Sequence, residues 1–239
     1  MKSQQNRNRR KVRSMTDHEV IEFTKSLFNL IQNARTIIDL EEIPHKLNIP
    51  AKNLMKIEGY PKIEFAIKSS DIQSLIDKNV LDDEFNFMSD ISTKLTDPFS
   101  KLLYATAWKN GDLKKIKHII KGIIDSENDN NNNDQNEALV FYQFGKYLTK
   151  KSGQPIIDQH VIRAFSIFSS KNTNQISSIR QLKVLDKIHI PIINQYKEWL
   201  TSDALTKELR EVKDYTYHID KLLFAAGKTI KSHAQALNL

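Results

Sequence analysis

The sequence predicts an all-α protein, a globular multi-helix array. Three observations lead there. Apolar residues recur at spacings of three and four along most of the chain, and no alternating apolar–polar series marks strands. Only 6 Gly and 6 Pro occur in 239 residues, so helix breakers are few. Helix-start residues stand ahead of several of the periodic segments. An array of about nine or ten helices is expected.

With 39% hydrophobic and 27% charged residues, the chain can bury a core and present a polar surface. No run of about 18 apolar residues occurs, so no membrane span and no membrane partner are expected. Cysteine is absent, which excludes disulfides, thiol nucleophiles and cysteine-held zinc or iron–sulfur clusters. No metal or other cofactor is expected, and a cytoplasmic, intracellular location fits. The net charge is +7, and Lys2, Arg7, Arg9, Arg10, Lys11 and Arg13 supply six of it with no acid among residues 1–15. That tail is expected to be disordered. It either adds counterion-release affinity for a polyanion or is a solvated leader. No apolar run follows it, so it does not read as a secretory signal.

The first helix is expected from Thr16, a good cap, with Asp17 and Glu19 in its first turn. Val20, Phe23, Leu27, Leu30 and Ile31 follow on one face. Residues 37–58 read as two short helices around Asn48-Ile49-Pro50. Pro44 and the lack of a basic second helix favour ordinary packing there over a DNA-reading helix-turn-helix. Residues 59–70 suggest a short extended segment, after which Asp71 caps a helix carrying Ile72, Leu75 and Ile76. Asp97-Pro98 starts a mostly apolar helix with Leu102, Leu103, Ala105, Thr106 and Trp108, expected to be buried.

Asn110-Gly111-Asp112 is a turn, and Asp112 caps the next helix. It should bury Leu113, Ile116, Ile119 and Ile120 and expose Lys114, Lys115, Lys117 and Lys121. Residues 125–136 are a polar, Asn-rich loop. A helix resumes at Glu137, runs through Phe141, Phe144 and Leu148, and stops at Lys150-Lys151-Ser152-Gly153. Residues 171–178 read as a polar loop, 179–200 as an amphipathic segment interrupted near Pro191, and 203–236 as one or two long helices. The division expected is a tail (1–15), an N-terminal helical region (16–96) and a second helical domain (97–239), or one continuous unit from 16 to 239.

One segment carries the functional question. In Pro155-Ile156-Ile157-Asp158-Gln159-His160-Val161-Ile162-Arg163 an apolar pair delivers a carboxylate to a helix start. Val161, Ala164, Phe165 and Phe168 mark one face of that helix. Asp is a common helix cap. It is also what carboxylate catalysis needs when held in place near tuning dipoles. Local features alone favour the plain cap.

The order Pro-x-hydrophobic-Asp-x-His-Val-x-Arg resembles the catalytic segment of helix-hairpin-helix DNA glycosylases, the superfamily of endonuclease III and the adenine glycosylases. The likeness covers residues 137–165 directly. It implies that fold type, with DNA as partner and Asp158 as the catalytic carboxylate acting on a flipped-out base. On that likeness His160 supports the acid, Tyr104, Trp108 and Tyr142 (with Phe141) are candidates for the base pocket, and Lys146, Lys150, Lys151 and Arg163 for phosphate contacts. The chain departs from the family in two places. An Asn-rich stretch, 128–136, stands where the family has a Gly-rich hairpin. Asn136 and Glu137 stand where bifunctional members carry lysine, so a monofunctional DNA N-glycosylase is the expectation.

The alternative is a non-catalytic nucleic-acid-binding or helical interaction protein on the same fold. There the aromatic residues are core, the lysines solvated helix ends, and Arg163 a partner for Asp158 or a structural carboxylate. His118, His189 and His218 are isolated, without metal-ligand spacing. Asp220 interrupts an apolar helix face and reads as a buried structural acid. Oligomeric state is left open.

Overall fold

Local capping starts the first two helices where the sequence places them. The Thr16 hydroxyl accepts from the Glu19 amide at 3.2 Å, and the Glu19 carboxylate accepts from the Thr16 amide at 2.7 Å. This reciprocal pair satisfies two otherwise free N–H groups and opens α1 (Asp17–Asn33). Thr36 and Asp39 repeat the device for α2 (Ile37–Lys46). Pro44 stands in the last turn of α2. A three-residue 3-10 turn, Ala51–Asn53, follows, so among the described residues no second α-helix completes a helix-turn-helix there.

A computed structural model describes residues 15–56, 58, 62–128 and 138–231, with backbone alone at 232–234. The remaining helices are α3 (Ser69–Asp77), α4 (Ile91–Lys94), α5 (Pro98–Lys109), α6 (Leu113–Glu127), α7 (Leu139–Leu148), α8 (Gln159–Ser169), α9 (Ile176–Arg180), α10 (Ile190–Thr201), α11 (Lys207–Glu211) and α12 (Tyr215–Ala234). Among the described residues the protein is all-helical, apart from one isolated bridge between Leu81 and Phe87. No helix among them is long and apolar enough to cross a membrane.

Two cores organise the helices. The larger joins α1 and α2 to α8, α10 and α12 through residues such as Leu27, Phe28, Ile43, Phe165, Tyr196 and Leu223. The smaller joins α3 and the Leu81 bridge to α6 and α7 through Ile72, Ile120, Ile123, Tyr147 and Leu148. Packing therefore runs across the expected division at residues 96 and 97: α1 and α2 are covered by the C-terminal helices, not by α3.

Glycines set the closest helix crossings. A Cβ at Gly145 would lie 2.0 Å from the Ile119 carbonyl oxygen, and one at Gly122 2.0 Å from that of Tyr142. Helices α6 and α7 thus meet backbone to backbone. Gly227 of α12 faces the His160 carbonyl of α8 in the same way, also at 2.0 Å.

Several expectations are corrected. Helix α5 has no buried residue, and Phe99 and Trp108 are 67% and 66% exposed. Its apolar residues surround the helix, while α6 turns its own apolar face to α3 and α7. Helix α3 starts before Asp71, whose carboxylate instead accepts from the Lys68 amide at 2.8 Å from within the first turn. Asp112 makes no side-chain cap for α6 and pairs with Lys115, which is half-buried. The most buried residues of α6 are Ile120, Gly122, Ile123 and Ser126.

Helix α6 also continues through Glu127, whose carboxylate accepts from the Ser69 amide at 2.7 Å. Helix α7 starts at Leu139, after Ala138 in left-handed backbone with φ 53°. Residues 171–178 are not a loop: a 3-10 turn, Thr173–Gln175, runs into α9, anchored by buried Ile176. The segment 179–200 is broken just before Pro191, by residues 181–186 and a 3-10 turn, Lys187–His189; Pro191 itself lies in the first turn of α10, where no helical N–H partner is lost. The tail 1–14, residues 59–61 and residues 129–137, Glu137 included, lie outside the described residues.

Candidate functional site around Asp158

Asp158 is the N-cap of α8. Its Oδ1 accepts from the His160 amide at 2.6 Å, and the side chain stays half-exposed. The segment before it is pinned from α12. Buried Asp220 accepts from the Ile156 amide at 2.7 Å and from the Tyr196 hydroxyl at 2.6 Å. Burial pushes the Asp220 carboxyl up to about 8, against those two hydrogen bonds.

Arg163 does not meet solvent or phosphate. It is 0% exposed, which corrects the expected phosphate contact. Its guanidinium lies 2.6 Å from His160 Nδ1, donates to the Gly227 carbonyl at 3.0 Å and donates to the Leu182 carbonyl. Burial pulls Arg163 down to about 10, so it remains a cation at neutral pH. An arginine N–H can only donate, so His160 Nδ1 accepts and the ring proton sits on Nε2. Burial, with Arg163 adding to it and Asp158 opposing, pulls His160 down to about 4. The His160 ring meets Phe224 edge-on at 5.0 Å.

The aromatic residues expected to receive a base are not brought together here. Tyr142 is buried, and its hydroxyl donates to Asp125 at 2.9 Å. Tyr104 leans edge-on against Phe87 at 6.0 Å, and Trp108 stands exposed on α5. Phe141 lies under Lys115 Nζ, 5.0 Å from the ring centre. None of the four borders the space beside Asp158.

The three expected phosphate lysines scatter as well. Lys146 is 4% exposed and lies over the Tyr142 ring. Lys150 donates to the Ile63 carbonyl at 2.7 Å, over the Tyr147 ring. Lys151 donates to the Ser126 carbonyl at 2.6 Å, tying the end of α7 to the end of α6.

The residues beside Asp158 come from α12 instead. A cavity of about 30 Å³ is lined by Tyr217, Asp220, Lys221 and Phe224, with Met55 and Val161. A sequence signal for them existed: positions 217, 220, 221 and 224 share one helix face. Met55 and Lys221 also line a larger, mostly apolar groove of about 430 Å³, between α2 and α12, with His218, Glu41 and His45 at its polar edge. Comparison with known families, curated proteins and solved structures finds no match.

Proposed function

We propose that the chain is a monofunctional DNA N-glycosylase of helix-hairpin-helix type, cleaving the bond between a flipped-out base and its sugar. The observation that carries this reading is the placement of Asp158. It is half-exposed at the start of α8, and the cavity beside it shares Met55 and Lys221 with a base-sized groove. A cavity of about 30 Å³ admits no base, whereas a groove of about 430 Å³ falls in the range of ligand pockets. Met55, unbranched and adaptable, is the side chain whose rotation joins the two.

The chemistry then runs through this chain's own groups. The extruded base enters between Met55 and the Tyr217–Phe224 face, at a cost of a few kcal/mol in unstacking. The Asp158 carboxylate stabilises positive charge that develops on the sugar as the bond breaks, and water completes the hydrolysis. His160, neutral and locked by Arg163, holds the carboxylate through its amide and transfers no proton. The cations of residues 1–15 supply affinity for the DNA backbone, since Arg163 is buried and donates to backbone carbonyls.

Asp158→Asn tests this. Asn caps helices about as well as Asp, so folding should hold. Base release from duplexes carrying deaminated, mispaired or alkylated bases should fall by about a hundredfold or more. Activity equal to the parent's would remove Asp158 from the reaction.

A second reading has an observation of its own. The 2.6 Å bond to the His160 amide and the small cavity also describe a plain helix cap in a non-catalytic nucleic-acid-binding or helical interaction protein. That reading requires the parent protein to release no base from any of those duplexes.

A further inference from the structure

A second cavity, of about 480 Å³, lies between α7, α10 and the segment 152–154. Lys146 and Gln143 of α7, Gln154, and Asn194 and Lys197 of α10 line it, with Glu198 also at its edge. Neither ammonium makes an ion pair among the described residues, although Lys146 is buried and Lys197 largely so. The Gln143 side chain is 5% exposed, and its Oε1, like that of Gln154, has no hydrogen-bond donor. Buried polar groups without partners are rare in folded proteins, and two such oxygens share one space here with two lysines.

We propose that this cavity binds a phosphate group between Lys146 and Lys197. Neither lysine has a carboxylate within ion-pair distance among the described residues, and a phosphate dianion carries enough charge for both, which a single carboxylate does not. A tetrahedral anion offers oxygens to both ammoniums and to the Asn194 amide. A monohydrogen phosphate also donates the O–H that a glutamine Oε1 lacks. Burial, and then Lys146, pull Lys197 down to about 7. Burial also lowers Lys146, with Asp125 opposing. An arriving dianion therefore draws a proton onto Lys197 near neutral pH. The proposal is independent of any role for Asp158.

Calorimetry on the full chain with inorganic phosphate, sulfate and a nucleoside 5′-monophosphate tests it. Binding of any of them, weakened at least about tenfold by Lys197→Met and restored by Lys197→Arg, supports the site. Inorganic phosphate binding as tightly as the nucleotide identifies the free ion as ligand, and tighter nucleotide binding identifies a phosphomonoester. Sulfate keeps its charge near neutrality, so its affinity should fall about tenfold from pH 6 to pH 8 as Lys197 loses its proton. Lys146→Met should act likewise, but it alters a buried position, so Lys197→Met decides if that variant unfolds. No binding of any of the three, or binding unchanged in Lys197→Met, overturns the proposal.

Discussion

Arg163 Nη1 lies 2.6 Å from His160 Nδ1, and this contact dictates the protonation of the histidine. The arginine can only donate, so the imidazole stays neutral with its proton on Nε2. Burial holds His160 down near 4. Ring nitrogen chemical shifts should therefore show no titration of His160 between pH 7 and about 5. The folded group titrates below its unfolded value, so its contribution to stability is present above about pH 6.5 and is lost as pH falls toward 4. A ring that titrates near 6.5 in the folded protein would contradict the contact.

Arg163 supports two backbone carbonyls and one imidazole from a fully buried position. Removing it leaves those acceptors without donors. Arg163→Met should cost about 3–5 kcal/mol in urea unfolding. Arg163→Lys should be nearly as costly, because an ammonium does not reproduce the planar fork. A phosphate-binding arginine would behave in the opposite way, changing the salt dependence of DNA affinity with little loss of stability.

The glycine crossings separate two kinds of glycine. Gly145→Ala places a methyl against the Ile119 carbonyl and forces α6 and α7 apart, so a loss of about 3 kcal/mol or more is expected. Gly111 has open space around it and φ of +70°, so Gly111→Ala should cost only about 1–2 kcal/mol of backbone strain. Thermal melts of the two variants side by side check this order.

The two tryptophans should report opposite environments. Trp199 packs among Phe28, Phe165 and Tyr196, and Trp199→Ala should cost about 3–5 kcal/mol. Trp108 is exposed on α5, and Trp108→Ala should stay within about 0.5 kcal/mol. Iodide should quench the Trp108 emission and largely spare that of Trp199. Equal quenching would mean that α5 is covered in solution.

Asp220 should carry a pH signature opposite to that of His160. Its carboxyl is raised to about 8 by burial, so its contribution to stability is fully present below about pH 4 and is lost as pH climbs toward 8. Asp220→Asn should remove that part of the pH dependence from the urea midpoint. An Asn variant whose midpoint follows pH as the parent's does would assign the dependence elsewhere.

The helices and their starts were largely readable, because they depend on groups a few residues apart. Thr16 with Glu19, Asp97 with Ser100, and Asp158 with the His160 amide all bond within their own first turns. The same locality put Val161, Ala164 and Phe165 on the buried face of α8. Apolar content misled at α5, since a helix apolar on all sides is buried only if neighbours have unpaired faces to offer.

The site needed contacts that the order of residues does not disclose. Arg163 finds its acceptors 19 and 64 residues away, at Leu182 and Gly227. Met55 lines the cavity beside Asp158 only because the chain after α2 packs beside α12. Lys146 and Lys197 face one cavity from two helices, and nothing in either local stretch distinguishes them from solvated lysines. Chain connectivity thus decided the all-helical class, the caps and the buried face of α8. Tertiary packing alone decided which charges lost their water, because desolvation depends on what every other segment places around a group.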